Sequence, residues 1–458
     1  MDDRLNKLNV AEDQADYTAP IKISRIKLIN YKFFYGDFEL PVNGENLLVY
    51  GENGTGKSSI YKALELLTKK EILADEFIKN RNVFNPEGET SIEIEFNNGQ
   101  EYIIDADTTT YPDYVDFLHG LSVFVPMLDY KKLLKVHYTT ENIEQINLYR
   151  LFRTLLRDYE YKPNKKLSEI KDPNKYYEEL TRIMEDHLLK DINNYLNKYF
   201  ESDCMIDSFD CRTEIDSDDD SRIIPVVNIT IDYKDNSIEN YHNFLNEARL
   251  SALAISIYLS TIKTLYSALK KNSLKILILD DLLISLDMSN RLRLLEILKN
   301  EFTDFQIFFF THDKELFEIY KNKMAWKKYE IYLDDSGEIP KAILKQGKSE
   351  IERAKKYYAK KEYDDCALHL RKGFEKILTA YLTPREQRNK NCEELDLSGL
   401  VGRAISKSSS ENKIILEKLN SDRQHILNPL SHNDMRPVYS RELKSALDDL
   451  EKLKGLLI

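Results

Sequence analysis

The chain has 458 residues, of which 66 are basic and 78 acidic, for a net charge of −12; hydrophobic residues make up 42% and charged residues 31%. Those proportions describe an ordinary globular protein with length for two or three domains, and the acidic balance argues against nonspecific nucleic-acid binding by the chain as a whole, though not against a local basic groove. No apolar run approaches the roughly 20 residues a bilayer span needs. No signal-peptide pattern opens the chain, and Cys204, Cys211, Cys366 and Cys392 form no Cys-x-x-Cys pair, so a cytoplasmic protein with reduced thiols and no membrane partner is expected.

Residues 1–20 are polar and lack periodicity, which predicts a flexible arm. Ile23, Ile26 and Leu28, then Phe38 to Leu40, are short β-rich runs. Leu47 to Tyr50 is an apolar run that feeds directly into Gly51. Ile60, Leu64, Leu66 and Leu67 give Ser58 to Lys69 helical spacing. Ile92 to Phe96, Asn97-Asn98-Gly99, then Tyr102 and Ile104 predict a hairpin. Residues 140–200 read as mostly helical without sustained heptads, so no long coiled coil is expected. Asp216, Asp218, Asp219 and Asp220 predict a solvated loop, and Val227, Ile229 and Ile231 alternate as in a strand. A helix over Ala248 to Lys270 precedes buried strands at Ile276 to Leu279 and Gln306 to Phe310. The stretch from Asp334 to Gly347 predicts one further strand and a boundary, and residues 348–458 read as helical throughout.

Gly51-Glu52-Asn53-Gly54-Thr55-Gly56-Lys57-Ser58 fits G-x-x-x-x-G-K-[ST] between a strand and a helix, the context the motif requires. Glycines let successive N–H groups turn inward at a helix N-terminus, making a nest for phosphate. Asn53, Gly54, Thr55, Gly56, Lys57, Ser58 and Ser59 are the candidate nucleotide-binding residues, with Lys57 reaching the β- and γ-phosphates of ATP and the Ser58 hydroxyl a ligand for Mg²⁺. The second metal-side carboxylate is expected at Asp280, where Ile276-Leu277-Ile278-Leu279 delivers Asp280-Asp281 to the C-terminal end of a buried strand. Asp280 would hold Mg²⁺ through water, and Asp281 sits where a general base could orient the attacking water.

With these motifs the chain resembles the ABC-type ATPase heads of SMC, RecF and related DNA-repair and phage-defence proteins (Septu, PrrC and RloC among them). Ile29-Asn30-Tyr31-Lys32-Phe33 is similar to the early strand motif of those heads, which implies that Lys32 lies beside the nucleotide. Ser285-Leu286-Asp287 resembles their D-loop, and His312 in Phe310-Thr311-His312-Asp313 their γ-phosphate-sensing switch histidine. Leu245 to Ala254 is similar to the signature helix, with Asn246 in place of Ser, Ala248 in place of Gly and Arg249 in place of Gln or Glu. Asp281 stands where the family has Glu, and Asp129 occupies about the place of the Q-loop glutamine. The resemblance implies an α/β fold: an ABC-type P-loop head over 21–135 and 200–335, a short helical insertion over 136–199, and an all-α domain over 345–458. Because the family's signature acts in trans, it also implies a head-to-head dimer or higher homo-oligomer.

In the C-terminal part, Ala354 to Leu382, Leu395 to Ile405, Ile414 to Leu427 and Arg441 to Leu457 predict amphipathic helices, with Pro429 and Pro437 between the last two. Arg371 and Glu375 lie four apart on one helical face, and His432 follows at a predicted helix end. An Arg-x-x-x-Glu pair with a later His resembles HEPN-type ribonuclease domains, which implies Arg371, Glu375 and His432 as candidate RNase residues; the compact Arg-x₄₋₆-His motif is absent. Three functions stay open. One is a defence ATPase gating a nuclease or toxin effector, in its own C-terminal domain or in a partner chain. Another is a noncatalytic sensor or scaffold for a separate HNH-type nuclease, and the third is a RecF-like repair ATPase. DNA or tRNA stays open as a partner.

Overall fold

The computed structural model describes residues 20–69, 71–72, 74–108, 112–118, 120–121, 126–129, 136, 146–157, 159–163, 165–215, 223–267, 273–282, 288–346, 349–391, 393–427 and 440–457. Packing divides the chain into two units, Met1–His312 with Ile331–Leu344, and Asp313–Glu330 with Lys345–Ile458. The fold is α/β with a parallel-rich sheet, and helices follow to the C-terminus, the class expected from the sequence.

In the first unit, β1 (Ile23–Ile29) pairs antiparallel with β2 (Asp37–Pro41) and with β4 (Ser91–Phe96), which continues into β5 (Glu101–Ile104). Ile26 and Leu28 stand opposite Leu40 and Phe38 on one side and Ile94 and Ile92 on the other, so the alternating apolar residues build one buried face. Gly99, at φ +80°, closes the β4–β5 hairpin.

The main sheet has the order β15-β14-β3-β13-β12-β6, from β3 (Leu47–Gly51), β6 (Met127–Asp129), β12 (Ile276–Asp280), β13 (Gln306–Thr311), β14 (Lys327–Asp334) and β15 (Lys341–Gln346). β3/β13, β13/β12 and β12/β6 are parallel. Leu47–Val49, Ile276–Leu279 and Ile307–Phe310 are buried without alternation, as strands covered on both faces must be. The P-loop strand and the acidic strand therefore lie on one sheet, separated only by β13. Gln306, fully buried at the start of β13, joins the two sheets: its Oε1 accepts from Ile23 N (2.7 Å) and its Nε2 donates to Ile23 O (2.8 Å) and Glu45 O (3.1 Å).

This unit also contains the helices α1 (Lys57–Leu66), α2 (Ala74–Ile78), α3 (Tyr149–Leu155), α4 (Pro173–Ile183), α5 (Leu189–Lys198), α6 (Glu247–Ser267) and α7 (Met288–Glu301), with a single helical turn at Tyr241–Phe244. A π turn at Met184–Leu188 joins α4 to α5. The insertion is less purely helical than its sequence predicts. It includes a small hairpin, β7 (Glu160–Lys162) with β8 (Lys165–Lys166), and α5 is stitched to a three-stranded sheet through Asn193, whose side chain exchanges two 2.8 Å bonds with the Ile206 backbone. That sheet, ordered β11-β10-β9, comprises β9 (Cys204–Ile215), β10 (Ile223–Tyr233) and β11 (Asn236–Ile238).

The second unit contains α8 (Lys314–Lys323), α9 (Glu350–Lys360), α10 (Tyr363–Tyr381), α11 (Leu397–Lys407), α12 (Ser410–Asp422) and α13 (Ser440–Leu457). The single helix predicted over Ala354 to Leu382 is two, broken where Lys361 takes φ +67°. α9 begins in a capping box, with Ser349 Oγ accepting from Glu352 N and Glu352 accepting from Ser349 N. Leu370, Phe374, Ile377, Leu400, Leu419, Leu447 and Leu450 form its apolar core. The acidic run at Asp216 to Asp220, together with Asp287, Pro429, His432 and Pro437, lies outside the described residues.

Candidate nucleotide site

Between β3 and α1 the chain turns through Glu52 to Gly56. Gly54 and Gly56 take φ of +85° and +99°, and Gly56 begins α1 without a side-chain cap. The first N–H groups of a helix lack intrahelical acceptors, so this bend presents donors and the positive end of the helix dipole to an anion. Gly56 is constrained twice, because a Cβ there would also stand 2.7 Å from Phe33 Cδ1 and Phe34 Cζ. Those rings come from the loop after β1, where Asn82 Nδ2 donates to Lys32 O (2.8 Å) and Phe33 O (3.1 Å). Lys32 is thereby held beside α1. Burial lowers its pKa, Lys62 adds to that, and Glu65 opposes.

Lys57 is buried, and its ammonium donates to Gly51 O (2.5 Å) and Glu52 O (3.1 Å). Burial lowers its pKa while Asp281 and Asp280 pull the other way, so the ammonium lies in the field of both carboxylates. Asn53, Gly54 and Ser58 are exposed; Thr55 is buried and its hydroxyl donates to Glu52 O (2.9 Å); Ser59 Oγ accepts from Phe33 N (3.4 Å).

Asp280 ends β12, and β6 runs beside it in parallel register so that Asp129 stands opposite. Burial pushes the Asp280 carboxyl up to about 7; Asp281 adds to this, and Lys57 opposes it. Its Oδ1 is buried with no hydrogen-bond partner among the described residues. A buried, unpartnered carboxyl oxygen at Asp280 and the exposed Ser58 hydroxyl at the start of α1 are hard-oxygen donors of the kind that fit Mg²⁺, an ion held by one or two carboxylates together with substrate phosphates. Asp281 has φ +47°, its N–H donates to Phe310 O (3.1 Å), and its Oδ1 accepts from His312 N (2.8 Å) and lies 2.7 Å from His312 Nδ1.

Lys57, Asp280, Asp281 and His312 thus converge at the ends of β3, β12 and β13. Sequence reasoning missed Tyr61, whose hydroxyl donates to Asp129 Oδ2 (3.1 Å) and joins α1 to β6; a tyrosine four residues after the P-loop lysine on the buried side of α1 was the available signal. Asn246 stands exposed just before α6, and its Oδ1 accepts from Arg249 N (3.0 Å). That oxygen is committed to capping the helix, while Arg249 lies over the Tyr233 ring at 5.4 Å. Arg371 and Glu375 belong to the second unit, where Arg371 is half-buried and Glu375 exposed. The histidine engaged there is His369, 2.6 Å from Glu350 and stacked on Tyr357.

No protein-family model matches the chain, and no curated protein matches it. Solved structures do. An SMC head bound to the C-winged helix domain of ScpA matches with 13% identity and a TM-score of 0.43, covering 71% of this chain and 98% of that one. The SMC head domain from Thermotoga maritima gives 12% and 0.39 over 71% and 99%. The Smc head domain with an extended coiled coil bound to the C-terminal domain of ScpA, derived from Pyrococcus furiosus, gives 13% and 0.44 over 75% and 100%. Similarity at this level says nothing of activity, substrate or partner. No helix among the described residues is long and apolar enough to cross a membrane.

Proposed function

We propose that the chain binds and hydrolyses ATP at this site, that two copies engage face to face across the nucleotide, and that hydrolysis gates a nuclease or toxin effector in antiviral defence. One observation carries the nucleotide reading: an uncapped, glycine-lined helix start shares its surroundings with a buried lysine and an orphaned carboxylate oxygen on the same sheet. The N–H groups at the start of α1 receive the phosphates. Lys57 exchanges the Gly51 and Glu52 carbonyls for phosphate oxygens, an anionic partner for a neutral one. Ser58 and Asp280 would hold Mg²⁺, and the ion would supply positive charge against that developing on the phosphates. Asp281 orients the attacking water, and His312 fixes the Asp281 carboxylate. Pairing and effector gating are supported by the motif resemblance, in which the signature acts in trans.

The same geometry supports slow turnover. Asp281 is one methylene shorter than the family's glutamate and already accepts from His312, which also favours, as a second reading, a nucleotide-sensing scaffold for a separate nuclease. Steady-state phosphate release tests this. The wild type should turn over below about 10 s⁻¹, the enzyme median. Asp281→Asn should lose at least about tenfold, roughly 1.4 kcal/mol of barrier, with ATP affinity kept. Unchanged turnover in Asp281→Asn would remove Asp281 from the chemistry.

A further inference from the structure

We infer that the exposed surface of the insertion formed by α3, the β7–β8 hairpin and the start of α4 docks the phosphate backbone of nucleic acid. The observation is a local reversal of charge. In a chain carrying 12 excess negative charges, Arg150, Arg153, Arg157, Lys162, Lys165, Lys171 and Lys175 are all exposed, and none forms a salt bridge among the described residues. Other cations of this unit do find carboxylates: Arg25 reaches Glu39, Glu95 and Glu101, and Lys198 and Lys263 share Glu301. Of the described acids in the stretch, Glu160 is exposed on β7, while Glu169 accepts from Lys166 N (3.2 Å) and Asp172 from Asn174 N (3.0 Å). Between Tyr149 and Lys175 the sequence holds eight basic and four acidic residues, a net positive charge that a polyanion would compensate.

The three elements form one surface. The Tyr149 ring lies 6.3 Å from Tyr176 and 6.2 Å from Tyr177, and Ser168 N donates to Arg157 O (3.0 Å) and Leu167 N to Tyr159 O (2.9 Å). Because the tyrosines pack on one another, and Arg153 on Tyr149 at 5.8 Å, they brace the surface and do not offer a stack for bases. Contact is therefore with phosphates and independent of base sequence. A lipid surface fits less well, since Leu151, Phe152, Leu156 and Leu167 are buried and leave no apolar wedge to insert. Nothing in this inference depends on the nucleotide reading.

The test is fluorescence anisotropy of the full chain, without ATP, against labelled single-stranded DNA, duplex DNA and single-stranded RNA of about 30 nucleotides, from about 50 to 200 mM salt. At least one should bind with an affinity that falls steeply with salt. A variant combining Arg153→Gln, Arg157→Gln, Lys162→Gln and Lys165→Gln should bind at least about tenfold more weakly, with the slope of log Kd against log salt reduced by about 3. Lys355→Gln with Lys356→Gln and Lys360→Gln in α9 should leave binding unchanged, and matched melting curves show that the variants fold. Absence of binding to all three nucleic acids at low salt would overturn the inference. So would full affinity in the four-site variant, or binding to anionic vesicles in place of nucleic acid.

Discussion

Asp280 carries the largest single electrostatic conflict in the site. Its carboxyl is pushed up to about 7, first by burial and then by Asp281, so the native state holds a proton that the unfolded chain releases near pH 4. An acid whose folded pKa is raised contributes its stability below the unfolded pKa and loses it as pH rises toward the folded one. Asp280→Asn should therefore stabilise the chain without divalent cation, by on the order of 2–4 kcal/mol above pH 7 and by little at pH 4. Thermal melts in chelator at the two pH values check this, and an equal difference at both would assign the effect elsewhere. The left-handed backbone at Asp281 belongs to the same local compromise, since a non-glycine residue there costs roughly 1–2 kcal/mol.

At the scale of elements, β13 both carries His312 at its end and ties the parallel sheet to the antiparallel one through Gln306. Gln306→Leu would strip the Ile23 N–H of its buried partner and leave the Ile23 C=O with Gly44 N alone, for an expected loss of about 1–3 kcal/mol by denaturant melting; a cost under about 0.5 kcal/mol would mean that backbone or water replaces it. In the second unit, Lys376 lies 3.2 Å from both Glu318 and Glu350, and His369 2.6 Å from Glu350. Burial alone would raise both carboxyls, yet Lys321 and Lys376 at Glu318, and His369 and Lys376 at Glu350, hold them below the usual range. Their contribution is present above the unfolded value near pH 4.3 and is lost as pH falls through the lower folded values. Lys376→Met should cost about 1–3 kcal/mol at pH 7, with the gap to wild type closing in acid; a gap independent of pH would contradict an ionic origin.

The P-loop, the acidic strand and the strand before His312 were legible because each joins an uninterrupted apolar run to a polar motif; a run buried on both faces shows no period, so its strand-like length and the motif after it decide the assignment. β14 was not read from sequence, since Lys327-Lys328-Tyr329-Glu330 opens it with polar residues whose burial depends on partners far along the chain. The break at Lys361 escaped for a similar reason, because a lysine in left-handed backbone carries none of the sequence signal that glycine would. Tyr61 with Asp129, and His369 with Glu350, are pairings across elements that spacing along one helix cannot reveal.

For the whole molecule, the central claim is that a triphosphate seats between Gly51 and Ser59 with Asp280 on its metal side. Calorimetric titration of the full chain with ATP, with and without Mg²⁺, tests it most directly in the wild type and Lys57→Ala. The wild type should bind in a Mg²⁺-dependent way, and Lys57→Ala should lose at least about tenfold, roughly 1.4 kcal/mol, while still melting cooperatively, since this lysine holds only the carbonyls of Gly51 at the end of β3 and of Glu52 after it. Equal affinity in the two proteins would contradict it.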